Sequence, residues 1–132
     1  RAAGVWLEVT TLVVPGINDS PQELGDIAGF LAGVSPDIPW HVSAYHPDYH
    51  LADGPPATPA ATIERAASVG RGNGLRYVYS GNLRGLPGGE DTTCPGCSRP
   101  LVTRCIFSVR ENRIGADGHC RDCGTPIPGL WR

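Results

Sequence analysis

From Val5 to Val14 the chain reads VWLEVTTLVV, a run of β-branched and apolar residues with little polar alternation. Such a run predicts a strand covered on both sides, as in a parallel sheet. Pro15-Gly16 stops it. Ser20 can cap a helix, Pro21 suits its first position, and Glu23 stands where a capping box needs it. Leu24, Ile27, Ala28 and Leu31 follow at helical spacing and predict a helix from Pro21 to Ala32. Trp40 to Tyr45 alternates, with Trp40, Val42 and Ala44 on one face and His41, Ser43 and Tyr45 on the other. The apolar set is expected to face helices, and the polar set an interior or a ligand. A loop rich in Pro and Asp, His46 to Ala57, follows; Thr58-Pro59 then restarts a helix with Ile63, Ala66 and Ala67 on one stripe. Gly70 to Gly74 ends that helix, and Leu75 to Tyr79 is a third strand.

The order strand, helix, strand, helix, strand predicts parallel strands joined by right-handed crossovers. The expected fold class is α/β: the last β/α units of a larger barrel or doubly wound sheet, with an exposed edge. The chain starts at Arg1 without Met and enters a strand almost at once, which reads as the C-terminal piece of something longer. Glu8, Thr10 and Leu12 share one strand face. They suggest a polar barrel interior, or simply satisfy neighbouring side chains. Asn18, Asp19 and His46 fall at the carboxyl ends of strands, where α/β folds bind ligands.

Beyond a Gly-rich segment the pattern changes. The expected division is a barrel portion over 1–82, a hinge over 83–91 and a small zinc-ribbon module over 92–132. Cys94-Pro95-Gly96-Cys97 and Cys120-Arg121-Asp122-Cys123 bracket two short predicted strands, Leu101 to Val109 and Glu111 to Ile114. A Cys-x-x-Cys turn aims two sulfurs at one point, and two such turns supply four thiolates to one tetrahedral ion. The expected ligand is a structural zinc ion on Cys94, Cys97, Cys120 and Cys123; a redox pair or an iron–sulfur cluster is the lesser reading. Cys105 is expected to pack inside the ribbon, and His119 to lie beside the site without being needed. The final segment, Thr125 to Trp131, is expected to fold back on the body through Trp131. His41, His46 and His50 cluster in sequence but read as hydrogen-bonding residues at the mouth of a sheet rather than as a metal site.

Composition narrows the partners. The 132 residues are 40% hydrophobic and 18% charged, enough to bury a core. A net charge of −2 and a pI near 6.1 give no basic footprint, which argues against nucleic acid. All eleven basic residues are Arg. No apolar run is long enough to cross a bilayer, no signal-peptide pattern opens the chain, and paired Cys-x-x-Cys spacing suits a reducing, cytoplasmic setting.

Several motifs together resemble a known family. They are Val13-Val14-Pro15-Gly16-Ile17-Asn18-Asp19, Trp40-His41-Val42-Ser43-Ala44-Tyr45-His46-Pro47-Asp48-Tyr49, Leu75-Arg76-Tyr77-Val78-Tyr79-Ser80-Gly81-Asn82, and Cys123-Gly124-Thr125-Pro126-Ile127-Pro128-Gly129. Their combination resembles the C-terminal part of the radical S-adenosylmethionine enzyme of the AmmeMemoRadiSam system, which is similar to the pyruvate formate-lyase activating enzyme. The resemblance covers nearly the whole chain. It implies a partial (β/α) barrel, a 4Fe–4S cluster and S-adenosylmethionine, whose cleavage yields a 5′-deoxyadenosyl radical. It places Thr10, where the activating enzyme carries Arg, together with Ser43 and His46, among the S-adenosylmethionine contacts. It also implies a protein substrate or other proteins of the same system as partners. The Cys-x-x-x-Cys-x-x-Cys motif that binds the cluster is absent, so the chain alone is expected to be inactive, with that half preceding Arg1. Two other readings compete: a free-standing zinc-ribbon adaptor for protein partners, and a small hydrolase with a histidine metal site.

Overall fold

The computed structural model describes residues 4–48, 53–83, 86–105 and 108–131. The chain divides into two compact units, one over Glu8–Leu86 and the other over Pro87–Arg132 with Arg1–Leu7.

The first unit is a three-stranded parallel sheet with two helices. Its elements are β1 (Val9–Val13), α1 (Pro21–Val34), β2 (Trp40–Ala44), α2 (Ala60–Gly72) and β3 (Val78–Gly81), and the sheet order is β1-β2-β3. Thr10 lies opposite His41 and Leu12 opposite Ser43, while His41 also lies opposite Tyr79 and Ser43 opposite Gly81. Helix α1 starts as its sequence dictates: the Ser20 hydroxyl accepts from the Glu23 N–H. It runs two residues beyond the expected end, to a close at Ser35, whose N–H bonds the Leu31 carbonyl. The third strand begins later than expected. The Leu75 N–H is still closing α2 on the Gly70 carbonyl, and only from Tyr77, whose carbonyl accepts from Trp40, does the chain pair with β2.

One expectation for β1 fails. It is not covered on both faces. Val9, Thr11 and Val13 turn inward, whereas Thr10 is exposed and Leu12 is 46% exposed. The reason is that both helices pack on the same side of the sheet. Val13, Trp40, Val42, Ala44 and Val78 form one core with Leu24, Ala28 and Leu31 of α1 and Ile63, Ala66 and Ala67 of α2. The other face, carrying Glu8, Thr10, Leu12, His41, Ser43 and Tyr79, is left without helices.

Trp40 is the centre of the covered face. It is wholly buried, and its indole N–H donates to the Thr11 hydroxyl at 2.9 Å. Helix α2 lies so close on the indole that a Cβ at Gly70 would stand 2.8 Å from Trp40 Cε3 and 3.1 Å from Val78 Cγ2. The carboxyl ends of β1 and β2 are tied by buried Thr58. Its hydroxyl donates to the Val13 carbonyl at 2.6 Å and accepts from the Tyr45 N–H at 2.9 Å.

The second unit is a small antiparallel sheet, β4 (Thr92–Thr93), β5 (Pro100–Cys105) and β6 (Ser108–Asn112), in the order β4-β5-β6. Leu101, Val102, Ile114 and Ile127 form its core with Cys94 and Cys120. Two expectations are corrected here. Cys105 is exposed rather than packed, because the core residues Leu101 and Val102 sit at the other end of β5. Trp131 packs against the ribbon: its indole N–H donates to the Ile127 carbonyl at 2.8 Å, and a Cβ at Gly118 would collide with its ring. Gly118 has φ +78, so the close approach and the backbone both ask for glycine there.

Gly70→Ala is expected to destabilise the first unit by about 2 kcal/mol, because overpacking against Trp40 outweighs the helix-propensity gain of about 1 kcal/mol. Denaturant unfolding checks this, and an unchanged or higher midpoint would contradict the packing argument.

Candidate functional site

The cysteines occupy two turns of the same construction. The Cys94 carbonyl accepts from the Ser98 N–H and the Cys120 carbonyl from the Gly124 N–H, both at 2.8 Å. The Cys94 N–H donates to the Arg99 carbonyl and the Cys120 N–H to the Thr125 carbonyl, both at 2.9 Å. Each turn closes in the left-handed region, at Ser98 (φ +59) and Gly124 (φ +73). The repeated geometry explains why a small residue follows each second cysteine.

The four sulfurs converge. All lie within 4.8 Å of one another, with Cys94 to Cys123 at 3.5 Å and Cys97 to Cys120 at 3.9 Å. Zinc–sulfur bonds of about 2.3 Å set tetrahedral sulfurs roughly 3.8 Å apart, so the cluster can hold a metal ion such as zinc with little movement. Sulfurs this close have room between them for a single ion and none for a four-iron cubane. No disulfide joins them. Cys94 and Cys120 are buried in the small core, while Cys97 is half-buried and Cys123 exposed. A core of four aliphatic side chains is too small to hold such a module alone, so metal binding would supply folding free energy.

The thiols differ in acidity. The Cys123 thiol is lowered to about 6, first by the Thr125 hydroxyl and then by the Thr125 backbone N–H. The hydroxyl lies 3.1 Å from its sulfur. On Cys97 the largest influence is the Arg99 N–H, which lowers the pKa. Desolvation and the neighbouring thiols Cys123, Cys94 and Cys120 outweigh it and push the group up to about 12.

Asp122, inside the second turn, braces the pair. Its Oδ1 accepts from Arg99 Nη1 at 2.9 Å and from Arg113 Nη2 at 2.8 Å. Its side chain is only 14% exposed, and it holds the Arg113 pKa up. Arg99 directly follows the first turn, so this carboxylate links one turn to the other. The two guanidiniums also bring positive charge to a site that four thiolates and a divalent ion leave at net −2.

The sheet of the first unit carries the other candidates. Thr10 and Ser43 lie on its uncovered face in adjacent strands, Thr10 opposite His41 and Ser43 opposite Leu12. Ser43 is buried, and a Cβ at Gly81 would come 2.5 Å from its hydroxyl, so glycine there makes room for it. His46 is exposed, two residues past the end of β2. His41 is engaged elsewhere: its Nε2 lies 2.8 Å from Glu8 Oε2 and its ring stacks on Tyr79 at 5.1 Å. These three sit toward the amino ends of the strands, away from the end where α/β sheets bind ligands. His50 lies outside the described residues. Among the described residues the four cysteines form the one group able to hold a metal; the histidines are not brought together. His119 bonds back to the Asp117 carbonyl through Nδ1 and is not in the cluster. Asn18 and Asp19 shape the Pro15-Gly16 turn: Asn18 Oδ1 accepts from the Val14 N–H and Asp19 Oδ1 from the Gly16 N–H. Sequence reasoning missed Asp122 and Thr125. Their position within or just after the second Cys-x-x-Cys was the available signal.

The chain is 40% identical over 129 residues to Uncharacterized protein MJ0808 of Methanocaldococcus jannaschii. The match covers 96% of this chain and 38% of that relative, so the chain spans well under half of its length. No family model matches the chain, and no solved structure matches it. Among the described residues no helix is long and apolar enough to cross a membrane.

The purified chain should bind one zinc, lose it in Cys97→Ser and keep it in His46→Ala, as elemental analysis will show. Protons compete with metal for each thiolate. Cys123, lowered to about 6, ionises well before Cys97, pushed up to about 12. Affinity should therefore rise with pH through the neutral range and drop steeply below 6, where Cys123 also protonates; chelator competition from pH 5 to 8 measures this. Asp122→Asn should speed zinc transfer to a chelator by about 10-fold. An unchanged rate would mean that the carboxylate does not brace the site.

Proposed function

We propose that this chain is the C-terminal part of a radical S-adenosylmethionine enzyme of the activating-enzyme type: the last β/α units of a partial barrel, followed by a structural zinc ribbon. The supporting observation is the singly wound sheet. Strands in the order β1-β2-β3 with both helices on one face are the arrangement a barrel wall would have, and in this reading the other face is the interior. The greater length of the M. jannaschii relative fits a chain that is one part of a longer enzyme.

In this reading Thr10, Ser43 and His46 hold S-adenosylmethionine. The residues suit the task. Thr10 and Ser43 present hydroxyls from adjacent strands on the uncovered face, and His46 offers an imidazole beyond the carboxyl end of β2. When bound and reductively cleaved, the cofactor supplies a carbon radical that abstracts hydrogen from a substrate. In this reading the chain's own residues orient the cofactor: the Thr58 bonds to Val13 and Tyr45 fix the strand end near Ser43 and His46, while Thr10 lies lower on the face, level with His41. The four cysteines lie too close together for a 4Fe–4S cluster; in this reading the cluster belongs to a preceding part of the enzyme. The partners are S-adenosylmethionine and a protein substrate or other proteins of the same system, and the setting is the cytoplasm.

A second reading, a zinc-ribbon adaptor for protein partners, is favoured by β6. All five of its residues are exposed and it forms an edge of its sheet. An unpaired strand edge can take up an added strand.

The DNA preceding the Arg1 codon in the source genome decides between them. A reading frame continuing upstream and encoding Cys-x-x-x-Cys-x-x-Cys is the expected result; a start codon at Arg1 would sink the enzyme reading. The purified chain supplied with iron, sulfide and a reductant should show no cleavage of S-adenosylmethionine by chromatography.

A further inference from the structure

The four sulfurs are not equally protected. Cys94 and Cys120 are buried and Cys97 is half-buried, whereas Cys123 is exposed. A ligand open to water is the one that a proton or a competing chelator reaches first. Cys123 is therefore the weak point of the centre, and one residue holds it. The Thr125 hydroxyl lies 3.1 Å from the Cys123 sulfur, and the Thr125 backbone N–H acts on the same sulfur. The Thr125 carbonyl accepts from the Cys120 N–H at 2.9 Å, which fixes the turn that carries Cys123.

The same side chain reaches across to the other turn. A Cβ at Gly96 would collide with the Thr125 hydroxyl and stand 3.2 Å from its Cβ. Glycine in the first turn thus leaves the space that the threonine after the second one fills. A thiol and a hydroxyl can each donate to the other. A metal-bound sulfur is a thiolate and only accepts, so the hydroxyl is then the donor. Hydrogen bonds to an ionised acceptor are about twice as strong as neutral ones. We propose that Thr125 is a positioning residue for the metal centre: its hydroxyl donates to the Cys123 thiolate, keeps this exposed ligand on the ion and so sets the rate of metal release. The inference rests on the metal-centre part of the reading above and needs nothing from the enzyme part.

Two variants separate the hydroxyl from the packing. Thr125→Val keeps the shape against Gly96 and loses the hydroxyl, whereas Thr125→Ser keeps the hydroxyl and loses the methyl group. Zinc transfer to a chelator is timed for each, and the cobalt-loaded proteins are read by their sulfur-to-metal charge-transfer absorption. Thr125→Val should release zinc about 10-fold faster. Its charge-transfer band should move to longer wavelength, because a thiolate without a donor gives up charge more easily. Thr125→Ser should stay close to the unaltered chain in both. Complete loss of metal by Thr125→Val, with retention by Thr125→Ser, also supports the proposal. An unchanged release rate or an unmoved band in Thr125→Val overturns it and leaves the metal centre standing. Equal losses in the two variants overturn it too, since packing alone would then account for them. If the unaltered chain takes up neither zinc nor cobalt, the metal-centre reading falls and this inference with it.

Discussion

The handedness of the strand–helix–strand crossover governs this molecule. A right-twisted strand leading into a right-handed helix returns to the sheet in one sense. When two successive crossovers also advance in the same direction, β1 to β2 to β3, both helices must land on one face. Everything apolar then gathers there: Trp40 under Gly70 of α2, with Val13, Val42 and Ala44 around it. The opposite face is left with Thr10, Leu12, His41 and Ser43. The exposure of Leu12 and the polar character of its neighbours are two consequences of one topological fact.

The ribbon works under a different constraint. It is too small to be held by its aliphatic core, and its four sulfurs would repel one another as thiolates without a cation between them. The fold prepares for that cation. Paired turns aim the sulfurs, Thr125 lowers the Cys123 thiol, and Asp122 clips one turn to the other through Arg99. A four-sulfur site closed on one ion would leave no coordination position for a substrate, so on the proposed reading its role is to hold structure. Chemistry, on the proposed reading, belongs to the uncovered face of the parallel sheet.

Much of this was legible in the chain. The helix at Pro21 could be read because its signals are local: a capping hydroxyl, a proline at the first position and a helical apolar stripe. The cysteine cluster could be read because Cys-x-x-Cys spacing constrains geometry within five residues. The errors have a common cause. The uncovered face of β1, the late start of β3, the exposure of Cys105 and the placement of Trp131 all depend on what lies opposite a residue in space. His41 shows the same limit. Its spacing to His46 invited comparison within the loop, but its partners are Glu8 and Tyr79 on neighbouring strands.

The sequence by itself determined the element order, the cap of α1, the alternation of β2 and the four ligands of the candidate metal centre. Each rests on interactions between residues a few positions apart, whose geometry the backbone dictates. Only the tertiary structure decided which sheet face is covered, that Gly70 must be small because Trp40 lies against it, and that Asp122 joins two turns. These depend on register and packing between distant segments, where side chains meet through burial of apolar surface and the pairing of buried polar groups, and no local pattern records them.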